Sequence, residues 1–69
     1  MGGLSLIIET AVPFEELEEI RAKSGAGVKL VLLGRVERNR ILLNRVLIDG
    51  PEREIQRFME KLRLARAGG

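Results

Sequence analysis

The first apolar block, residues 4–10 (LSLIIET), is too short for a helix. Its even positions Leu4, Leu6 and Ile8, continued by Val12, would share one face of a strand. From Pro13 the period changes. Pro13 suits the first turn of a helix, Glu15 and Glu16 follow at the positive end of its dipole, and Phe14, Leu17 and Ile20 recur on one side. Gly25 and Gly27 flank an exit near Ser24. Residues 28–36 and 41–48 then read as two strands joined by a tight polar connection around Arg38, Asn39 and Arg40, with Asn39 taking positive φ. A three-residue connection sets Val36 opposite Leu42, Leu32 opposite Val46 and Leu30 opposite Ile48, which makes one face of the hairpin almost wholly apolar. A two-residue turn would put Arg45 beside Leu32, so the first register is expected.

Asp49-Gly50-Pro51-Glu52 supplies a capping-type residue, a first-turn proline and acids at the positive end of a second helix. Ile55, Phe58, Met59, Leu62 and Ala65 follow at helical spacing, and Lys61, Arg63 and Arg66 suit its negative end. Residues 1–69 make a single domain, with flexible ends expected at 1–3 and 67–69.

The expected fold class is α+β: a two-layer sandwich in the order βαββα, with a three-stranded antiparallel sheet and two helices on one face. This is the ferredoxin-like plan lacking its last strand. In that plan the first strand lies between the third and the absent fourth, so its outer edge is bare. An apolar edge with no proline or lysine to blunt it is a pairing site. The far face of the sheet would carry Ile7, Val31, Leu33, Ile41, Leu43 and Leu47 alongside Lys29, Arg35 and Arg45. A water-facing sheet side is usually more polar, and exposed apolar patches mark interfaces. The plainer alternative is that leucine and β-branched residues favour strands wherever they face. A homo-oligomer, dimer or higher, is expected through the edge of the first strand, the open sheet face, or both.

Composition sharpens this expectation. A core built from 69 residues is small, and chains of this size usually lean on a disulfide, a metal or a partner subunit. With no Cys and no His, disulfides, thiolate nucleophiles and the commonest metal ligands are absent. There is no Tyr or Trp and no nucleotide-binding or nucleophile-elbow motif, so an enzyme is not expected, nor a cofactor. Glu15, Glu16, Glu18 and Glu19 sit at neighbouring helical positions that point in different directions, which suits a solvated helix start better than a cation site. The longest apolar run, residues 30–33, is far too short to span a membrane, and no Lys or Arg precedes Arg21 to form a signal-peptide start. A cytoplasmic protein without a membrane partner is expected.

Charge is unevenly spread. Residues 28–48 carry Lys29, Arg35, Arg38, Arg40 and Arg45 against Glu37 alone, a net of +4, whereas residues 13–24 carry four Glu against Arg21 and Lys23, a net of −2. A basic hairpin of this kind can grip phosphates, so those five cations are the candidate contacts for a small nucleic-acid-binding protein. Against that reading, the net charge of the chain is only +2, and both aromatics, Phe14 and Phe58, lie on core stripes rather than on a stacking platform. The alternative is that the arginines solubilise the hairpin or pair with Glu on a neighbouring subunit.

The stretch GVKLVLLGRVERNRILLNRVLIDGPEREIQRFMEKL, about half of the chain, resembles the hairpin and second helix of small ferredoxin-like regulatory modules, the ACT and NIL domains. Its most family-like part is the apolar strand running into IDGPEREI. The resemblance implies a dimeric or tetrameric ligand-sensing or assembly module with small molecules such as amino acids bound near subunit interfaces. It transfers no individual binding residue, and it implies a closing strand for which this chain has no segment.

Arg outnumbers Lys nine to three, and the chain holds one Gln and two Asn. This balance of many ion-pairing residues and few thermolabile amides is that of heat-adapted proteins. The purified protein is expected to melt above the ordinary mesophile range in differential scanning calorimetry; a midpoint inside that range would refute the assignment.

Overall fold

The computed structural model describes residues 3–67 in the order β1 (Gly3–Thr10), α1 (Phe14–Ser24), β2 (Lys29–Arg38), β3 (Ile41–Pro51) and α2 (Glu52–Ala67). The expected flexible ends fall partly inside these elements. Gly3 pairs with Pro51 at the start of β1, Ala67 closes α2, and residues 1–2 and 68–69 lie outside the described residues. The fold is α+β, an antiparallel sheet in the order β1-β3-β2 with the two helices over one side. This is the strand order that the ferredoxin-like plan leaves when its fourth strand is removed.

β3 is central because it alone pairs on both sides. Its Val46 and Ile48 are fully buried, as are Leu17 of α1 and Phe58 of α2, and these four are the largest side chains closed off from water. Val12, Ala26, Val28, Leu30, Ile55 and Leu62 complete the core. Pro13 caps α1 from an extended conformation, and its carbonyl accepts from the amides of Glu16 at 3.0 Å and Leu17 at 3.1 Å. Gly25, at φ 69°, ends that helix in the left-handed region that favours glycine. Leu17 is fully buried and Phe14 and Ile20 are half-buried, as their spacing predicts.

The start of α2 differs from expectation. β3 continues through Pro51, so Asp49 is a strand residue opposite Ser5 and Lys29, not a helix cap, and it accepts from the Ser5 hydroxyl at 3.2 Å. The strand turns into α2 with no intervening loop. Gly50 makes this possible: its φ is 159°, and a Cβ there would stand 3.0 Å from the Gly27 carbonyl oxygen. Gly27 in turn donates its amide to Glu54 at 2.9 Å, which clamps the α1–β2 connection onto the first turn of α2. Ile55, Phe58 and Leu62 are buried and Met59 half-buried, but Ala65 is exposed, because α2 runs beyond its cover after Leu62.

The hairpin also departs from the expected register. Arg38 pairs with Ile41 across a two-residue turn in which both Asn39 (φ 53°) and Arg40 (φ 68°) take positive φ, the conformation that matches the twist of paired strands. Near the turn Val36 therefore faces Leu43, not Leu42, while deeper in the sheet Leu32 faces Val46 and Leu30 faces Ile48 as expected. A bulge reconciles the two registers. The pairing shifts between Leu32 and Gly34, leaving Leu33 without a partner, and Gly34 adopts a φ of 154° that other residues rarely take. The bulge reverses the side on which each later β2 residue lies, so Arg35 and Glu37 move to the helix side and Val36 joins the open side.

With so few core residues, truncating one of them should be decisive. Phe58→Ala is expected to cost about 3–5 kcal/mol, as much as a core of this size usually supplies. Urea titration followed by circular dichroism should show the variant mostly unfolded without denaturant, while Leu64→Ala, at a 52% exposed position, should shift the midpoint little.

Candidate functional site

Directly opposed residues in an antiparallel sheet share a face, so the pairings define the open side row by row. Ser5, Asp49 and Lys29 form one row; Ile7, Leu47 and Val31 the next; then Glu9, Arg45 and Gly34; then Leu43 with Val36; and last Ile41 with Arg38. Five of the six residues expected to form an interface, Ile7, Val31, Ile41, Leu43 and Leu47, are therefore on this face. The sixth, Leu33, is the unpaired bulge residue. Ile7 and Ile41 are 56% and 55% exposed, and Val31, Leu43 and Leu47 are half-buried. Val36 is an addition to this surface that the expected register had placed on the helix side.

Sequence reasoning also missed Leu4 and Leu6. They lie on the helix side with Ile8, as the alternation predicts, yet they are 47% and 39% exposed. The reason is where the helices sit: α2 packs on β3 and α1, and the inner side of β1 is left exposed at Leu4 and Leu6, while Ile8 packs against the core.

The five hairpin cations are not brought together. Arg38 and Arg45 converge on the open face, but onto Glu9: Arg38 donates from both Nε and Nη2 at 3.0 Å, and Arg45 from Nη2 at 3.2 Å. The fork of hydrogen bonds from Arg38 holds the Glu9 carboxyl below its ordinary value; partial loss of hydration opposes this, and Arg45 adds to the lowering. Arg38 is correspondingly raised, chiefly by its bonds to Glu9. Lys29 faces Asp49 across the ladder, Arg40 is in the turn, and Arg35 is on the opposite side of the sheet facing Asn44. Glu9 was legible only through the β1–β3 register, which places it opposite Arg45.

Arg35 lines a cleft of about 450 Å³ between the hairpin and the start of α1, with Phe14, Leu32 and Leu42 as apolar walls and Glu15 on the helix side. Asn44 joins it, fixed by donating its side-chain amide to the Val12 carbonyl at 3.0 Å. Of the acidic helix start, Glu18 pairs with Arg21 at 3.0 Å and Glu19 with Lys23 at 3.7 Å. Among the described residues no three of His, Cys, Asp and Glu gather as a metal site, and no helix is long and apolar enough to cross a membrane.

Residues 4–69 match the model of a family described as uncharacterised protein. The chain belongs to that family. The match carries no ACT or NIL designation, and what it shares with those modules is the small α+β architecture. No curated protein and no solved structure matches the chain.

The Glu9 cluster makes a pH-dependent contribution whose sign follows from the lowered carboxyl. Stabilisation is fully present above the ordinary value of 4.5 and is lost as pH falls through the lowered folded value. Glu9→Gln is therefore expected to lower the melting temperature at neutral pH in low salt. Its gap to the parent protein should close on acidification below that range and narrow with added salt. A gap unchanged between neutral and strongly acidic buffer would refute the assignment.

Proposed function

We propose that this chain is a non-catalytic, homo-oligomeric interaction module whose interface is the uncovered part of its sheet, the β1 edge together with the open face. One observation carries the reading: β1 exposes apolar side chains on both of its sides, Leu4 and Leu6 inward and Ile7 outward, along an edge with no strand beside it among the described residues. A monomer of this size leaves that surface in water at a cost its small core is poorly placed to offset. A regulatory, ligand-sensing role of the ACT or NIL kind is the finer form of this reading. It is supported by the resemblance over residues 27–62 and by the cleft beside Arg35 as a place for a small molecule.

The nucleic-acid reading draws less support. Two of its five cations are tied to Glu9, a third faces Asp49 across the ladder, and Arg35 points to the other side of the sheet from the rest. A phosphate backbone would have to displace Glu9 to engage Arg38 and Arg45.

Light scattering on the purified chain at micromolar concentration is expected to give a dimer or larger species that is not retained on DNA or RNA columns at low salt. A monomer would remove the proposal. Salt-dependent retention abolished by replacing Arg38 and Arg40 with Ala would replace it with the nucleic-acid reading.

A further inference from the structure

The outer edge of β1 runs from Gly3 to Thr10 with no bulge, since every residue pairs in unbroken register with β3 on the other side. Natural edge strands are commonly blunted by proline, lysine, a bulge or a charge turned into the pairing direction. None of these is present on β1. The strand has one charged residue, Glu9, and its carboxylate is turned back onto Arg38 and Arg45 of its own chain. The strand's one charged group is thus neutralised within the sheet.

We infer that the occupant of this edge is β1 of a second copy, paired antiparallel about a two-fold axis through Ile7, so that the sheets join into one of six strands in the order β2-β3-β1-β1-β3-β2. The inference rests on the homo-oligomer proposed above and specifies its geometry. A two-fold perpendicular to the sheet keeps both helix layers on one side, so residues from the same side must meet. Only registers centred on a residue satisfy this. Centring on Leu6 sets Ile7 against Ser5, and centring on Ile8 sets Ile7 against Glu9; only an axis at Ile7 gives that exposed isoleucine an apolar partner, Ile7 of the second copy.

The remaining pairs agree. On the helix side Leu6 meets Ile8, which continues the row of Leu30, Ile48 and Leu6 into the row of Ile8, Val46 and Leu32. On the open side the row of Val31, Leu47 and Ile7 continues into its own symmetry copy. It is flanked by the row of Lys29, Asp49 and Ser5 running into Glu9 and Arg45 of the other chain. Each carboxylate in that flanking row keeps a cation beside it in its own chain, and the Ser5 hydroxyl separates the two carboxylates. The pairing therefore joins apolar residues without setting like charges directly opposite one another. Leu4 meets Thr10, the only pair that sets an apolar side chain against a polar one.

The chain has no Cys, so single-cysteine variants report proximity without background. Ile7→Cys places two thiols directly opposite across the axis, within reach of a disulfide. Under mild oxidation it is expected to form a covalent dimer at least about tenfold faster than Leu6→Cys or Leu47→Cys. In the unmodified protein, hydrogen exchange should show the β1 amides that face away from β3 protected at oligomer-forming concentration and released on dilution. A monomer at every concentration overturns both this geometry and the oligomeric reading. An oligomer whose outward β1 amides exchange freely, or which crosslinks faster through Leu6 or Leu47, overturns the geometry and leaves the oligomeric reading standing.

Discussion

Burial of Val46 and Ile48 beneath Leu17 and Phe58 is the contact on which the rest of the chain depends. These four residues come from three elements, and no other fully buried large side chain is present among the described residues to share the load. Because β3 supplies two of them and pairs on both sides, its alternation dictates which residues of β1 and β2 can face the helices. Everything on the open face is the complement of that choice. The identity of the exposed surface is thus a consequence of the core, not an independent feature.

The bulge at Leu33 and Gly34 follows from the same constraint. The turn at Asn39 and Arg40 is a two-residue one whose twist suits the strands, but continued through the hairpin its register would set Leu33 against Val46 and Leu30 against Asp49, turning Leu30 and Leu32 away from the helices and breaking the core. One unpaired residue allows the turn and the core each to keep the register it needs. The cost is local: glycine at φ 154°, and a reversal of side for the residues beyond it. That reversal sends Arg35 into the cleft with Phe14 and Asn44 and leaves Arg38 on the open face to reach Glu9. A basic hairpin that looks continuous in sequence is split between two faces by one residue.

The element order, the helix stripes and the deep hairpin pairs were legible because each rests on periodicity, which is local. The turn length was not, because Asn39 announces a positive φ while Arg40 does not. Gly34 was the available signal of a bulge inside an otherwise apolar strand. Asp49 carries two meanings: beside Gly50 and Pro51 it reads as a cap, and only the pairing of β1 with β3 shows that the strand absorbs it opposite Ser5. Glu9 and the exposure of Leu4 and Leu6 depend on contacts between distant segments, and the positions of α1 and α2 over β3 cannot be read from β1 itself. Residues whose role is set by the neighbour across a strand were the ones misjudged.

The same logic bears on why the sheet stops at β1. In a two-layer fold the edge strand is protected when a helix overhangs it or when its own side chains resist pairing. Here α2 packs back on β3 and α1, so no helix overhangs Leu4 and Leu6. The resisting charge is also missing, since Glu9 is committed to two arginines that lie on other strands. If Glu9 only served solubility, no bidentate partner would be needed, and an unpaired carboxylate at the edge would serve better. Its capture by Arg38 and Arg45 removes repulsion from the edge and at the same time fixes the end of the hairpin against β1, so the stability of the sheet and the openness of its edge come from one cluster.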